Sequence, residues 1–204
     1  MPNTSATGGY LVPDSAIAPP LEDDALDTFL HDFFQGVSGF ADGSLVRPRW
    51  QPDTPNLPDR SVDWFAFGVT KRPGDPFPAL MHVDTLNGGQ GADVLTRNEL
   101  LDVLLSFYGP NCQGVGSLVR DGLQVAQNME VLYLAGMAMV EAKDLTKNPE
   151  IVKNQWLPRV DLPLIIRREV RREYPVLNLL SAQATLIAPA APDHAIDTSE
   201  GQRP

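Results

Sequence analysis

Between residues 159 and 174, Val160, Leu162, Leu164, Ile166, Val170 and Tyr174 take alternate positions, and Arg159, Asp161, Arg167, Glu169, Arg171 and Glu173 lie between them. A period of two predicts a strand with one buried face and one wet face. Pro163 lies inside that run and cannot donate to a ladder, so it predicts an edge position or a bulge nearby. Pro175 ends the run, and residues 176–188 (VLNLLSAQATLIA) read as a further strand.

The start of the chain has the other period. In residues 21–40, Leu26, Phe29, Leu30, Phe33, Phe34 and Val37 recur at steps of three and four, which sets them on one face of a helix. Glu22, Asp23, Asp24 and Asp27 fall in its first turns, where the helix dipole favours negative charge. The same carboxylates also read as an acidic docking patch. Residues 41–61 hold four prolines and Trp50, which predicts an extended loop pinned by that tryptophan.

Residues 62–72 (VDWFAFGVTKR) are rich in β-formers and predict a strand. PGDPFP follows as a turn, 79–86 (ALMHVDTL) as the hairpin partner of that strand, and 87–93 (NGGQGAD) as a second turn. Residues 94–109 carry apolar groups at both steps, and their aromatic ending tips the reading to a strand. Gly109 and Pro110 stop it. Asn111 is a good helix N-cap, and Cys112, Val115, Val119, Leu123 and Ala126 follow as the buried stripe of a helix. A second helical piece runs to about residue 137, and 138–145 return to strand character.

Strands joined by short turns, with few helices between them, predict an α+β fold: a mostly antiparallel sheet with helices packed on one side, plus extended loops and arms. Residues 1–20 read as a flexible arm, either simply disordered or ordered against a neighbouring subunit. Residues 21–188 read as a single domain, and 189–204 as a disordered polar tail.

The chain's 204 residues suit one domain, and 43% hydrophobic with 21% charged residues are globular values. A net charge of −10 argues against a protein that grips nucleic acid over a broad face, which needs clustered Lys and Arg. It suits a surface that nucleic acid slides past. The charge is uneven. Residues 147–175 hold seven basic and four acidic residues, whereas 1–60 hold three basic and nine acidic. Arg159, Arg167, Arg168, Arg171 and Arg172 on one side, and Glu22, Asp23 and Asp24 on the other, are therefore the candidate subunit-interface residues. Complementary patches on one chain favour head-to-tail contact, which closes into rings. The plainer reading is a solvated face, partly neutralised by Glu169 and Glu173.

No catalytic, cofactor or metal constellation emerges. Of His31, His82 and His194, no two have metal-ligand spacing, and each reads as a surface or partly packed histidine. Cys112 is the one cysteine, so no internal disulfide forms. A helix start lowers a thiol pKa, yet Cys112 falls on the apolar stripe and reads as a small buried residue. NGGQGAD lacks the Gly-Lys-Ser/Thr ending of a phosphate loop. The first residues lack the basic and apolar regions of a secretory signal, and no window nears 18 apolar residues, so the chain reads as soluble and made in a reducing cytoplasm.

Four stretches taken in order carry a resemblance: Asp63, Trp64, Phe67 and Gly68 in one strand; the Phe-Tyr-Gly-Pro turn at 107–110; Arg120-Asp121-Gly122 in a helix; and WLPRVDLPLIIRREVRREYPVLNLLSA at 156–182. Together they resemble the neck terminator, or tail terminator, family of tailed bacteriophages, over residues 50 to 188. The resemblance implies a structural virion protein without catalysis, assembled in the host cytoplasm. It implies a hexameric ring that caps the tail tube protein and meets the head–tail connector or adaptor protein, with sheath protein beside it if the tail is contractile. Genomic DNA would pass through the lumen without specific binding, and no membrane is involved. The competing readings are another neck component, such as a head-completion or adaptor protein in twelve copies, and an enzyme, either a metal-dependent nuclease or a cysteine hydrolase.

Overall fold

A computed structural model describes residues 3–50, 56–152 and 154–181. The alternating run of residues 159–174 forms β9 (Arg159–Tyr174), and it pairs antiparallel along its whole length with β4 (Ala92–Tyr108). Both strands are about three times the usual ~5–6 residues, so each outer edge of this ribbon holds two short strands end to end. Along β4 lie β2 (Trp64–Lys71) and β3 (Ala79–Val83). Along β9 lie β5 (Met137–Ala142) and β6 (Thr146–Lys147). The parallel strand β1 (Val46–Pro48) adds to β2, and β7 (Glu150–Val152) pairs with β8 (Gln155–Leu157) as a separate hairpin.

One face of the sheet is apolar. Register aligns Phe67, Leu105 and Leu162 across β2, β4 and β9, and Phe65, Phe107 and Val160 beside them. Against this face pack α1 (Asp23–Ser38), α3 (Cys112–Gly122) and α4 (Ala126–Leu134), through Leu26, Leu30, Phe33, Phe34, Val119, Met129 and Leu132. Each such side chain contributes ~1.5–3 kcal/mol by leaving water. The fold is α+β, with a mostly antiparallel sheet and helices on one side, as the hydrophobic pattern predicts.

Several local expectations are corrected. β3 pairs with β4, not with β2. PGDPFP has three prolines and cannot close a tight hairpin, whereas the turn after β3 (α2, Leu86–Gly89) puts Asn87, Gly88, Gly89 and Gly91 at positive φ, as a sharp reversal requires. Residues 73–75 instead run beside β4, with Leu100 N donating to Pro73 O at 2.8 Å and Asp75 N to Asn98 O at 3.0 Å.

Pro163 is not on an edge strand, because β9 is central. Its carbonyl accepts from Lys143 N at 2.9 Å, on the side where β5 has ended at Ala142 and β6 has yet to begin at Thr146. A residue's N and O point the same way in a strand, so the missing N–H falls in that gap. The irregularity lies in β5, between Met139 and Glu141.

Residues 176–181 form no strand, and 182–188 lie outside the described residues, as does the tail at 189–204. The stripe of α3 ends at Leu123. Ala126 is exposed and opens α4 instead, since Val125 adopts an extended conformation between the two helices. The loop after α1 contributes the short edge strand β1. Trp50 is largely exposed but lays one ring edge on Gly68, where a Cβ would stand 2.7 Å from its Cζ3.

Candidate assembly surfaces

Even-numbered residues of β9 face the helices, so Arg168 points inward and is 3% exposed. A buried guanidinium survives only when paired. Arg168 Nη1 donates to Leu21 O at 2.5 Å, Nη2 to Glu22 and to Glu99 at 2.9 Å each, and Nε to Glu99 at 3.1 Å. Glu22 also binds Arg72 and lies 3.9 Å from Arg172. The acidic start of α1 and the basic end of β9 thus meet inside one chain. Of the eight candidate interface residues, Arg168 and Glu22 are engaged here. Asp23, Asp24 and Arg167 face solvent, Arg171 pairs with Glu173 at 2.7 Å, and Arg172 is partly exposed.

The remaining candidate, Arg159, lies at the opposite end of β9 on the sheet face away from the helices. Its Nε and Nη2 donate to the two oxygens of Asp161 at 2.7 and 2.9 Å, and its Nη1 reaches Glu150. Asp161 also accepts from Ser106 Oγ at 2.5 Å and Asn148 Nδ2 at 3.1 Å, while Arg49 donates to Ser106. Burial alone raises the Asp161 pKa, but the bonds from Arg159, Ser106 and Asn148 prevail and hold it below the ordinary carboxylate value. Four side chains stack across the strands beside this network. Arg47 lies 5.9 Å from the Trp64 ring, Trp64 stacks on Tyr108 at 4.3 Å, and Arg159 lies 5.8 Å from Tyr108. Each cation contributes ~0.5–1 kcal/mol or more by its contact with a ring face. Ser106, Asp161, Asn148 and Arg49 escape sequence reasoning. Ser106 and Arg49 stand 57 positions apart, and only the strand register brings them together.

The motif residues prove to be structural partners. Asn111 is not a side-chain cap of α3. Its Nδ2 and backbone N donate to Asp63 at 3.0 and 2.8 Å. Gly109 has φ +109, and a Cβ there would stand 2.5 Å from Asp63 Oδ1. Arg120 and Asp121 lie 3.9 Å apart on the exposed side of α3. Cys112 is buried, and that burial pushes its thiol pKa up, the reverse of an activated nucleophile. His31 bonds Asp32 and Gly43 O, and His82 bonds Asp93 and Asn178. His194 lies outside the described residues. Among the described residues no group of three or more His, Cys, Asp or Glu is placed to hold a metal ion, and no helix is long and apolar enough to cross a membrane.

What the chain does present is uncovered apolar surface. α4 buries Met129 and Leu132 but turns Val131, Tyr133 and Leu134 to solvent, and β5, which α4 contacts, exposes Val140. The β7–β8 hairpin packs Leu157 on Trp64 and Tyr108, and its other side displays the cross-strand pair Ile151 and Trp156. Large exposed apolar residues grouped like this mark interaction surfaces.

No protein of curated function matches the chain. The model of the family described as phage neck terminator protein matches residues 24–189 and so takes in every helix and strand from Asp24 of α1 to the end of β9. The chain therefore belongs to the phage neck terminator protein family, a structural family of the tail and neck of the virion.

Proposed function

We propose that copies of this chain close into a ring of six that caps the tail tube protein and meets the connector beneath the head. The observation that carries this reading is the outer side of α4 with the neighbouring edge of β5. Val131, Tyr133, Leu134 and Val140 are apolar and open to solvent in the isolated chain, and Val131 lines the groove between α4 and α1. A helix that is apolar on both sides requires cover on both sides. The second cover in this reading is the adjacent copy.

Arg167, Arg171 and Arg172 with Asp23 and Asp24 are the charged rim of that contact. They set register and partner choice more than affinity. Glu22, Arg159 and Arg168 are spent within the subunit. The net charge of −10 supports passage of genomic DNA through the lumen, because a carboxylate-rich wall repels phosphate rather than holding it. In a contractile tail the sheath is a further neighbour.

Native mass spectrometry and electron micrographs of the purified protein test the reading. Six-fold particles with a central hole are expected, and Tyr133→Asp with Leu134→Asp should yield folded monomers. A wild-type chain that stays monomeric at every concentration overturns the ring. Twelve copies would point to an adaptor-type neck component.

A further inference from the structure

Among the described residues, the outer edge of β9 has no strand beside it past Arg168. β5 stops at the register position of Arg168, and beyond it the outer edge of β9 runs on through residues 169–174. Unpaired strand edges are templates for a further extended segment. The N-terminal arm occupies this one. Asp14 N donates to Glu173 O at 2.8 Å and Ser5 N to Pro175 O at 3.1 Å, while Ser5 Oγ accepts from Leu177 N at 2.7 Å.

Little else holds the arm. None of residues 3–20 is buried, and Tyr10 is 94% exposed with Val12 open beside it. Pro13, Ile17, Pro19 and Pro20 roof a cavity of about 280 Å³ over Arg171, Arg172 and Glu173 rather than filling it. Immediately afterwards the chain is clamped, because Arg168 binds both Leu21 O and Glu22. A firm anchor at residue 21 therefore follows a loosely seated, proline-stiffened segment that docks through backbone groups. Such contacts are the same whichever copy supplies the arm, so exchange between copies sacrifices none of them.

We propose that in the assembled ring the arm is exchanged: residues 3–20 of each copy lie along the β9 edge of its neighbour. Tyr10 and Val12, uncovered on their own subunit, then gain cover at the junction of two copies. Eighteen residues reach up to about 60 Å when extended, enough to cross a subunit boundary. The proposal rests on the ring reading above, and its test separates the two.

Asp14→Cys and Glu173→Cys are placed together in a Cys112→Ser chain, which is assembled, oxidised and run on a denaturing, non-reducing gel. The expected result is a ladder of covalent multimers. Intact rings whose disulfides all lie within single chains overturn exchange and leave the ring standing. Rings that keep both thiols free overturn it as well, because the arm is then not on the edge. A chain that never assembles sinks the ring reading and exchange with it. Deleting residues 1–20, which leaves Cys112 unchanged, should yield a folded subunit whose ring dissociates at a concentration at least tenfold higher. An unchanged dissociation midpoint counts against exchange.

Discussion

Asp63, at the mouth of β2, holds Asn111, at the mouth of α3, by two hydrogen bonds of 2.8 and 3.0 Å. The bonds run across the Phe-Tyr-Gly-Pro turn and fix the angle at which β4 hands the chain to α3. Hydrogen bonds to a charged acceptor contribute roughly 1.5–3 kcal/mol. Asp63→Ala should therefore lower unfolding stability by about 2 kcal/mol in urea melts. Gly109→Ala should be at least as costly, since its Cβ meets Asp63 Oδ1 at 2.5 Å and Val62 O at 2.7 Å. A Gly109→Ala chain as stable as the parent would show that the turn relaxes freely.

Val119 is 0% exposed, between α1 and the sheet. Val119→Asp introduces an unpaired charge into the main core and should leave no cooperative unfolding transition, because such burial costs more than ~4 kcal/mol. Circular dichroism and gel filtration check this. A folded, assembling variant would contradict the packing of α3.

The large elements were legible because their periods are clean. Leu26 to Val37 at helical steps and Val160 to Val170 at alternate steps each bury one face, and burial decides both elements. Arg168 shows where that legibility ends. Its even position in β9 already assigned it to the inner face, but Glu22 and Glu99, the carboxylates that make burial tolerable, lie 146 and 69 positions away. The run of arginines therefore read as surface charge. Likewise β3 looked like the partner of β2 because it follows β2 in sequence. The glycine turn at 87–91 made the local hairpin with β4 the shorter closure. After Pro175, residues 176–181 have strand composition yet form no strand, and composition alone does not supply a partner.

Arg168→Ala should cost roughly 3–5 kcal/mol, the range for removing one member of a buried ion pair, because Glu99 keeps its charge and loses its partner. Arg168→Met in a Glu99→Gln background should recover most of the loss, since shape is retained and no buried charge is stranded. Thermal melts of the two variants decide it. Equal destabilisation would mean that the guanidinium is needed for its bond to Leu21 O and not for charge balance.

The Asp161 network makes stability depend on acid. Its carboxyl titrates below the ordinary value in the folded state, so it binds its proton more readily when unfolded. The stabilisation is therefore complete above about pH 4, the unfolded carboxylate value, and is lost as pH falls through the depressed folded value. Asp161→Asn should be less stable than the parent at pH 7, and the difference should shrink on acidification toward pH 3. A difference that stays constant over that range would remove Asp161 as its source.

His82 gives the opposite dependence, at the other end of the ribbon. Its Nε2 bonds Asn178 Oδ1 and its Nδ1 bonds Asp93, both at 2.8 Å. Asn178 in turn donates to Asp84 O and Gly89 O, and its backbone N donates to Gln90 O. The segment after β9 is thus fastened to the β3–β4 turn through one asparagine and one histidine. The bond to Asn178, then that to Asp93, with the charges of Asp93 and Asp84, raise the His82 pKa above 6.5. Docking is then at full strength below pH 6.5 and weakens as pH rises through the folded value. Hydrogen exchange corrected for intrinsic rates should show the Leu177 and Asn178 amides better protected at pH 6 than at pH 8. Asn178→Ala should abolish both the protection and its pH dependence. Equal protection at the two pH values would mean that neutral imidazole holds the segment as well as its cation does.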